Sequence, residues 1–262
     1  MIQDLVALIK KTEEEILEIY NTRDLDIVKK ADESPLTRAD VRSNEIIVEG
    51  LRSIVPEIPI ISEENSDVSY QERNTWDKFW LVDPLDGTKE FINRNGEFTV
   101  NIALIEGGIP VLGVILLPVK DTIFTGEKGV GSFQINSNIR KRIKLSEITI
   151  KEDLIAVTSR SHLSDNTQKV LDRMGASSIS AGSSLKFTLV AAGEADIYPR
   201  LGPTWEWDTA AGHAVAEASG AVVCGLDGNP LQYNKEVLKH EGFLVCRPEL
   251  KDRALKEIGE VK

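Results

Sequence analysis

Trp80-Leu81-Val82-Asp83-Pro84-Leu85-Asp86-Gly87-Thr88 is the stretch on which the reading of this chain turns. An apolar run ends directly in an acid, followed by a proline, a second acid and a glycine. The run predicts a short buried strand over 79–82. Pro84 and Gly87 predict a sharp turn after it that lets Asp83 and Asp86 face one point. Two carboxylates held that close repel each other unless one is protonated or a cation bridges them. Hard oxygen ligands of this kind favour Mg²⁺, with Mn²⁺ as a substitute. The backbone N–H groups of Gly87 and Thr88 are suited to a phosphate oxygen. Alone, Asp-x-x-Asp-Gly reads more readily as a solvated turn. Its company changes the balance: a second short strand over 58–62 ends in Glu63-Glu64, and Asp208 opens a helix after Trp205-Glu206-Trp207. By itself Asp208 would be a helix cap.

Working outward, the residues from 58 to about 145 are rich in strand pattern. Phe98, Val100, Ile102 and Leu104 alternate with Thr99, Asn101 and Ala103, and Gly107-Gly108 turns the chain into a hairpin partner over 111–117. Segments 123–124 and 132–135 continue the meander. Before it lie two helices. The first carries Ile2, Leu5, Val6, Ile9, Ile16 and Tyr20 at helical spacing; the second runs from about 37 to 54, with Thr37 as N-cap and Asp40 in its first turn. After about residue 150 strand and helix alternate. Helices over 164–174, 183–192 and 208–219 are closed by Gly175, Gly193 and Gly220, strands fall at 154–158, 195–198 and 221–224, and a last helix starts at Pro248. The fold class is α/β: an α+β half over 1–148 joined to an α/β half over 149–262, with no linker long enough to separate them.

The 262 residues are 41% hydrophobic and 28% charged, an ordinary globular composition. A net charge of −11 repels polyanions, and the only basic run is the short one over 140–144, so no nucleic-acid polymer is expected as a partner. A small phosphorylated substrate remains compatible, because a bound divalent cation reverses the local field. Cys224 and Cys246 each sit in an apolar stretch, as two buried thiols in strands. No apolar stretch reaches membrane-spanning length and no hydrophobic leader opens the chain, so a cytoplasmic location is expected, with peripheral contact to a membrane surface left open. Monomer and homodimer are equally compatible with the sequence.

Ser62-Glu63-Glu64, Asp83-Pro84-Leu85-Asp86-Gly87-Thr88 and Trp207-Asp208-Thr209-Ala210-Ala211-Gly212 resemble the three signatures of the inositol monophosphatase superfamily. The run over 80–105, with Gly182-Ser183-Ser184-Leu185-Lys186-Phe187 and Tyr198-Pro199-Arg200-Leu201-Gly202-Pro203, is similar to its bacterial 3′(2′),5′-bisphosphate nucleotidase branch. The resemblance spans nearly the whole chain. It implies a layered αβαβα sugar-phosphatase fold. It also implies hydrolysis of the 3′-phosphate of adenosine 3′,5′-bisphosphate to AMP and phosphate, with phosphoadenosine phosphosulfate left open as a second substrate.

The resemblance further implies a ligand set. One cation would be held by Glu63, Asp83 and the Leu85 carbonyl, and a second by Asp83, Asp86 and Asp208, the pair clamping an in-line displacement. Lithium sensitivity goes with that pair. Thr88 and Asp40 would orient and help deprotonate the attacking water, and Glu64 would position a water or a third, weaker ion. Glu63, Leu85, Asp86, Gly87, Thr88 and Asp208 would border the substrate. Lys186 and Arg200 would meet a 5′-phosphate, Ser183 and Ser184 would offer hydroxyls at a helix N-terminus, and His162 would line a nucleoside pocket. His213, in an Ala-rich helix, is expected to be packed. Trp205-Glu206-Trp207 departs from the more polar approach of the pattern, a change expected to alter the pocket wall and not the ligand. The competing readings are an inositol- or sugar-phosphate phosphatase of the same superfamily, differing over 160–205, and a non-enzymatic Mg²⁺- or nucleotide-binding module. A haloacid-dehalogenase phosphatase is disfavoured, because Leu85 stands where that class needs its second acid.

Overall fold

A computed structural model describes residues 1–22, 25–29, 35–137, 139–145, 153–160 and 164–261. Seven strands, β1 (Ile60–Ser62), β2 (Lys78–Asp86), β3 (Thr99–Glu106), β4 (Ile109–Leu117), β5 (Thr122–Glu127), β6 (Gly131–Asn136) and β7 (Ile139–Ile143), form one sheet in sequence order. β1 is parallel to β2, and every later pair is antiparallel. The period of two divides their side chains between two faces. Trp80 and Val82, with Val100, Ile102 and Leu104, pack under helices α1 (Ile2–Tyr20) and α2 (Arg38–Ile54), where Leu5, Ile9, Ile16, Ile47 and Leu51 are buried. Phe79, Leu81, Ala103 and Ile105 face the other way.

The short helix α3 (Thr88–Ile92) lies between β2 and β3; beyond β7 a second sheet is built from β8 (Leu154–Ser159), β9 (Ala176–Ala181), β10 (Ile197–Arg200), β11 (Val222–Gly225) and β12 (Phe243–Cys246), in the order β9-β8-β10-β12-β11. Helix α4 (Asp165–Met174) and helix α7 (Lys251–Gly259) cover its outer face through Val170, Leu171, Met174, Ala254 and Ile258. Between the sheets lie α5 (Leu185–Ala191) and α6 (Trp207–Ser219), whose Phe187, Ala211 and Val215 share one core with residues of both sheets. The layers are helix, sheet, helix, sheet, helix, as expected. Among the described residues no helix is long and apolar enough to cross a membrane. Cys224 and Cys246 are free and buried, in β11 and β12.

Helix α6 is rich in small residues because it is buried along nearly its whole length, only Glu217 near its C-terminal end being exposed. A Cβ on Gly113 of β4 would stand 2.5 Å from the Ala211 carbonyl oxygen, and one on Gly126 of β5 2.5 Å from that of Ala214. The helix therefore rests directly on the backbone of two neighbouring strands, which fixes its depth.

Several expectations need correction. No sharp turn follows Asp83; the strand continues through Pro84 and Leu85 to Asp86 with an irregular register. The helix expected over 183–192 begins only at Leu185, because Ser183 has a left-handed φ of 43° that no helix accommodates. Pro248 starts a single 3₁₀ turn before α7. The basic run 140–144 mostly forms edge strand β7, with Arg140 stacked 3.7 Å over the Phe133 ring. Strand β9 gave no pattern, since serines occupy three of its six positions.

Because backbone atoms oppose any side chain at Gly113, Gly113→Ala is expected to cost about 1–3 kcal/mol by overpacking. Urea unfolding checks this, with a lower midpoint at unchanged slope as the expected outcome.

Candidate metal and active site

A carboxylate pair three residues apart on a regular strand would point to opposite faces. In β2 it does not. Asp83 pairs with Asn101 and Asp86 with Thr99, so three steps on one strand match two on its neighbour. This bulge inserts the one residue that restores parity and turns both acids towards the central helix layer. Two hydrogen bonds hold it: the Ser43 hydroxyl donates to the Pro84 carbonyl at 2.6 Å, and the Leu85 N–H donates to Asp83 Oδ1 at 3.0 Å. Gly87, at φ 91°, then swings the chain into α3 and brings Thr88 inward.

The remaining groups arrive at element ends. Thr37 caps α2, and Asp40 answers it in a capping box, with Oδ2 accepting from the Thr37 N–H at 2.7 Å and hydroxyl at 2.6 Å. Its Oδ1 lies 3.2 Å from the Thr88 hydroxyl, which is also 3.4 Å from the Leu85 carbonyl. Asp208, in the first turn of α6, accepts from the Thr204 hydroxyl at 2.5 Å and the Trp205 N–H at 3.1 Å. The Ser184 hydroxyl joins the two halves, 3.0 Å from Asp86 Oδ2 and 2.9 Å from the Asp208 carbonyl, and accepts from Asn101 Nδ2 at 3.0 Å. Asn101 and Thr204 escaped the reading of the sequence. The signal for Asn101 was an amide on the core-facing side of an apolar strand.

Glu63, Asp86 and Asp208 line one cavity of about 230 Å³ together with Lys186 and Arg200; Asp83 lies behind it, 1% exposed. Burial, reinforced by Glu63, Asp86 and Asp208, holds the Asp83 carboxyl well above its usual range. Burial also raises Asp86, against the opposing pull of Lys186. Asp208 is pushed up to about 7, first by burial and then by the Asp86 charge. Among the described residues no group of three or more His, Cys, Asp and Glu side chains forms a ready cation cage. The carboxylate oxygens are turned to the donors named above. The donor set nonetheless fits a hard divalent ion: clustered carboxylates and a nearby backbone carbonyl, with no sulfur or imidazole.

Other expected site residues fall as follows. Glu63 donates its N–H to Val82 O at 3.1 Å and borders the cavity, whereas Glu64 does not. Gly87 and Thr88 border it too. The two serine hydroxyls expected to face a phosphate are directed at protein acceptors instead, Ser183 at the Glu97 carbonyl (2.9 Å) and Ser184 as above. Lys186 is 4% exposed, with Nζ 2.6 Å from the Ser183 carbonyl. Arg200 donates to the Pro203 carbonyl at 2.9 Å. His162 lies outside the described residues. His213 is packed, with Nδ1 3.0 Å from the Tyr233 hydroxyl. Trp205 and Trp207 do not enter the cavity wall; their rings stack on each other at 4.8 Å.

The inositol monophosphatase family model matches residues 1–262. The 3′(2′),5′-bisphosphate nucleotidase CysQ of Escherichia coli K12 is 44% identical over 248 residues, covering 94% of this chain and 99% of that one. The crystal structure of CysQ from Bacteroides thetaiotaomicron superposes with a TM-score of 0.78 at 42% identity, over 90% of this chain and 93% of its own. An IMPase of Thermotoga maritima gives 0.80 at 26% identity, over 100% and 98%.

A half-buried acid raised from 3.8 to about 7 weakens the fold as pH climbs through that window, because the folded state holds the proton more tightly than the unfolded chain. Asp208→Asn, which keeps an acceptor for Thr204 and Trp205, should raise the melting temperature of chelator-treated protein at pH 8. The gain should shrink towards zero at pH 4. Scanning calorimetry at the two pH values reads the difference.

Proposed function

We propose a reaction on the premise that the chain belongs to the inositol monophosphatase family, as the match over its whole length shows. It is a Mg²⁺-dependent phosphomonoesterase that removes the 3′-phosphate of adenosine 3′,5′-bisphosphate to leave AMP and phosphate. The observation that carries this reading is one cavity with two characters. Clustered acids suited to a cation share it with the cationic side chains of Lys186 and Arg200, which suit a second phosphate. The 44% identity to a protein named as a bisphosphate nucleotidase supports the same substrate.

Glu63, Asp83, the Leu85 carbonyl, Asp86 and Asp208 are the proposed ligands of two ions, with Glu64 near a third, weaker one; Mn²⁺ can take the same oxygens. When bound, Mg²⁺ supplies Lewis-acid charge that neutralises phosphate oxygens and makes water a competent nucleophile near neutral pH. The chain does the rest by placement. The Thr88 hydroxyl donates to Asp40 Oδ1, so its lone pairs are turned out to accept from a water. Asp40, already fixed by the cap of α2, draws proton charge from that water through Thr88. The water oxygen forms the new bond to phosphorus as the bond to the 3′-oxygen breaks in line, and the departing 3′-oxygen takes a proton from solvent to become the hydroxyl of AMP. Lys186 and Arg200 hold the 5′-phosphate and so orient the ester. The free, buried thiols agree with a reducing cytoplasm.

Phosphate release from adenosine 3′,5′-bisphosphate and from inositol 1-phosphate, with Mg²⁺ and with chelator, tests the reading. Metal-dependent preference for the nucleotide is expected. Preference for the inositol ester would overturn the substrate, and no release from either would point to a binding module. Asp83→Asn should cut turnover by roughly 10²–10³-fold or more while the circular dichroism spectrum stays native. Thr88→Val should lower kcat about 10²-fold or more at unchanged Mg²⁺ requirement.

A further inference from the structure

Glu97 lies just before β3 and outside the cavity wall, yet it grips the segment that forms part of that wall. Its carboxylate accepts from Arg160 Nε at 2.9 Å and Nη2 at 2.7 Å, and from the Gly182 N–H at 2.9 Å. Its carbonyl accepts the Ser183 hydroxyl at 2.9 Å. The approach is close: a Cβ on Gly182 would meet the Glu97 carbonyl oxygen at 2.6 Å. Ser183 is held in the left-handed region, at φ 43°, where a residue with a side chain stays only if its surroundings fix it.

That segment in turn holds Lys186. The Lys186 ammonium donates to the Ser183 carbonyl at 2.6 Å, reaches the Ala181 carbonyl at 3.5 Å, and lies 5.5 Å from the centre of the Tyr198 ring. An ammonium has three donors and no acceptor, so its place follows the carbonyls it serves. The geometry points to Glu97 as a positioning residue that sets where the Lys186 ammonium stands in the cavity, and thereby how tightly the second phosphate of a substrate is held. This inference rests on the bisphosphate reading above.

The ion pair itself is not the device. Arg160 is 47% exposed and does not line the cavity, so its two bonds orient the Glu97 carboxylate without touching the wall. The bond to Gly182 N–H is the one that reaches the cavity, because without it the 181–184 segment is free to relax and carry both carbonyls with it.

Steady-state kinetics at saturating Mg²⁺ on adenosine 3′,5′-bisphosphate and on adenosine 3′-monophosphate, which lacks the second phosphate, separates the possibilities. Glu97→Ala is expected to raise KM for the bisphosphate about tenfold or more, with kcat and the monophosphate KM each changed by less than about threefold. Glu97→Gln, which keeps an acceptor for Gly182 N–H, should recover most of the loss, and Arg160→Met should change KM by less than about threefold. In a double-mutant cycle, Glu97→Ala should add nothing to Lys186→Met. Equal effects on both substrates, or additive effects in the cycle, would overturn the positioning role. Should Glu97→Ala fold poorly, Glu97→Gln against Arg160→Met decides the matter: a larger KM loss for Arg160→Met overturns it. A wild type without bisphosphate turnover is a separate failure, that of the substrate reading.

Discussion

Like charges brought together in and behind the wall of one cavity repel one another, and the architecture of this protein is organised around that repulsion. Asp83, Asp86 and Asp208 all have raised proton affinities, and burial is the leading cause for each, with Glu63 adding to it at Asp83 and Asp208. Such a cluster is costly unless protons or cations neutralise it. Its ligand-type oxygens and its family both point to the cation. The strand bulge that restores parity between Asp83 and Asp86 exists to bring them to one face, and Ser43, from the packed helix α2, holds that bulge from behind.

The central helix layer answers the same demand from the other side. Gly113 and Gly126 let α6 sit on the sheet backbone, which sets how far Asp208 reaches towards Asp86. The start of α6 is anchored by Glu206, fully buried, which accepts from Lys235 Nζ at 2.6 Å and Asn234 N–H at 2.7 Å. Arg73 grips the same loop through the carbonyls of Lys235 and Glu236, each at 2.7 Å. The Trp205-Glu206-Trp207 departure from the pattern is thus an anchor for the helix and leaves the cavity wall untouched. Residues far apart in sequence hold two acids to one geometry.

The layered fold was legible because its strongest cues are local: alternation in β3, the Gly107-Gly108 hairpin, the Thr37 cap, and glycines closing α4 and α6. Edges were less so. A proline and two acids read as a turn where the sheet instead absorbs them as a bulge, since tertiary pairing with β3 outweighs turn propensity. The acids were legible as a set only through their ordered motifs, because each alone passes for a cap or a solvated turn. What the sequence could not convey was direction: Ser183 and Ser184 look like phosphate donors until their hydroxyls are seen to face Glu97 and Asp86. Asn101 and Glu97 were hidden for the same reason, as Ser184, which Asn101 meets, and Gly182, which Glu97 meets, lie more than 80 positions further along the chain.

The central claim is that the four acids are a cation site and not a structural network. Calorimetric titration of Mg²⁺ into chelator-stripped protein at pH 8 and at pH 5.5 tests it most directly. With Asp208 titrating at about 7, protons and Mg²⁺ compete for the same oxygens. The account predicts saturable binding at pH 8 that weakens by about tenfold or more at pH 5.5 and is lost in Asp83→Asn. Absence of saturable binding at pH 8, or binding indifferent to both pH and that substitution, would contradict it.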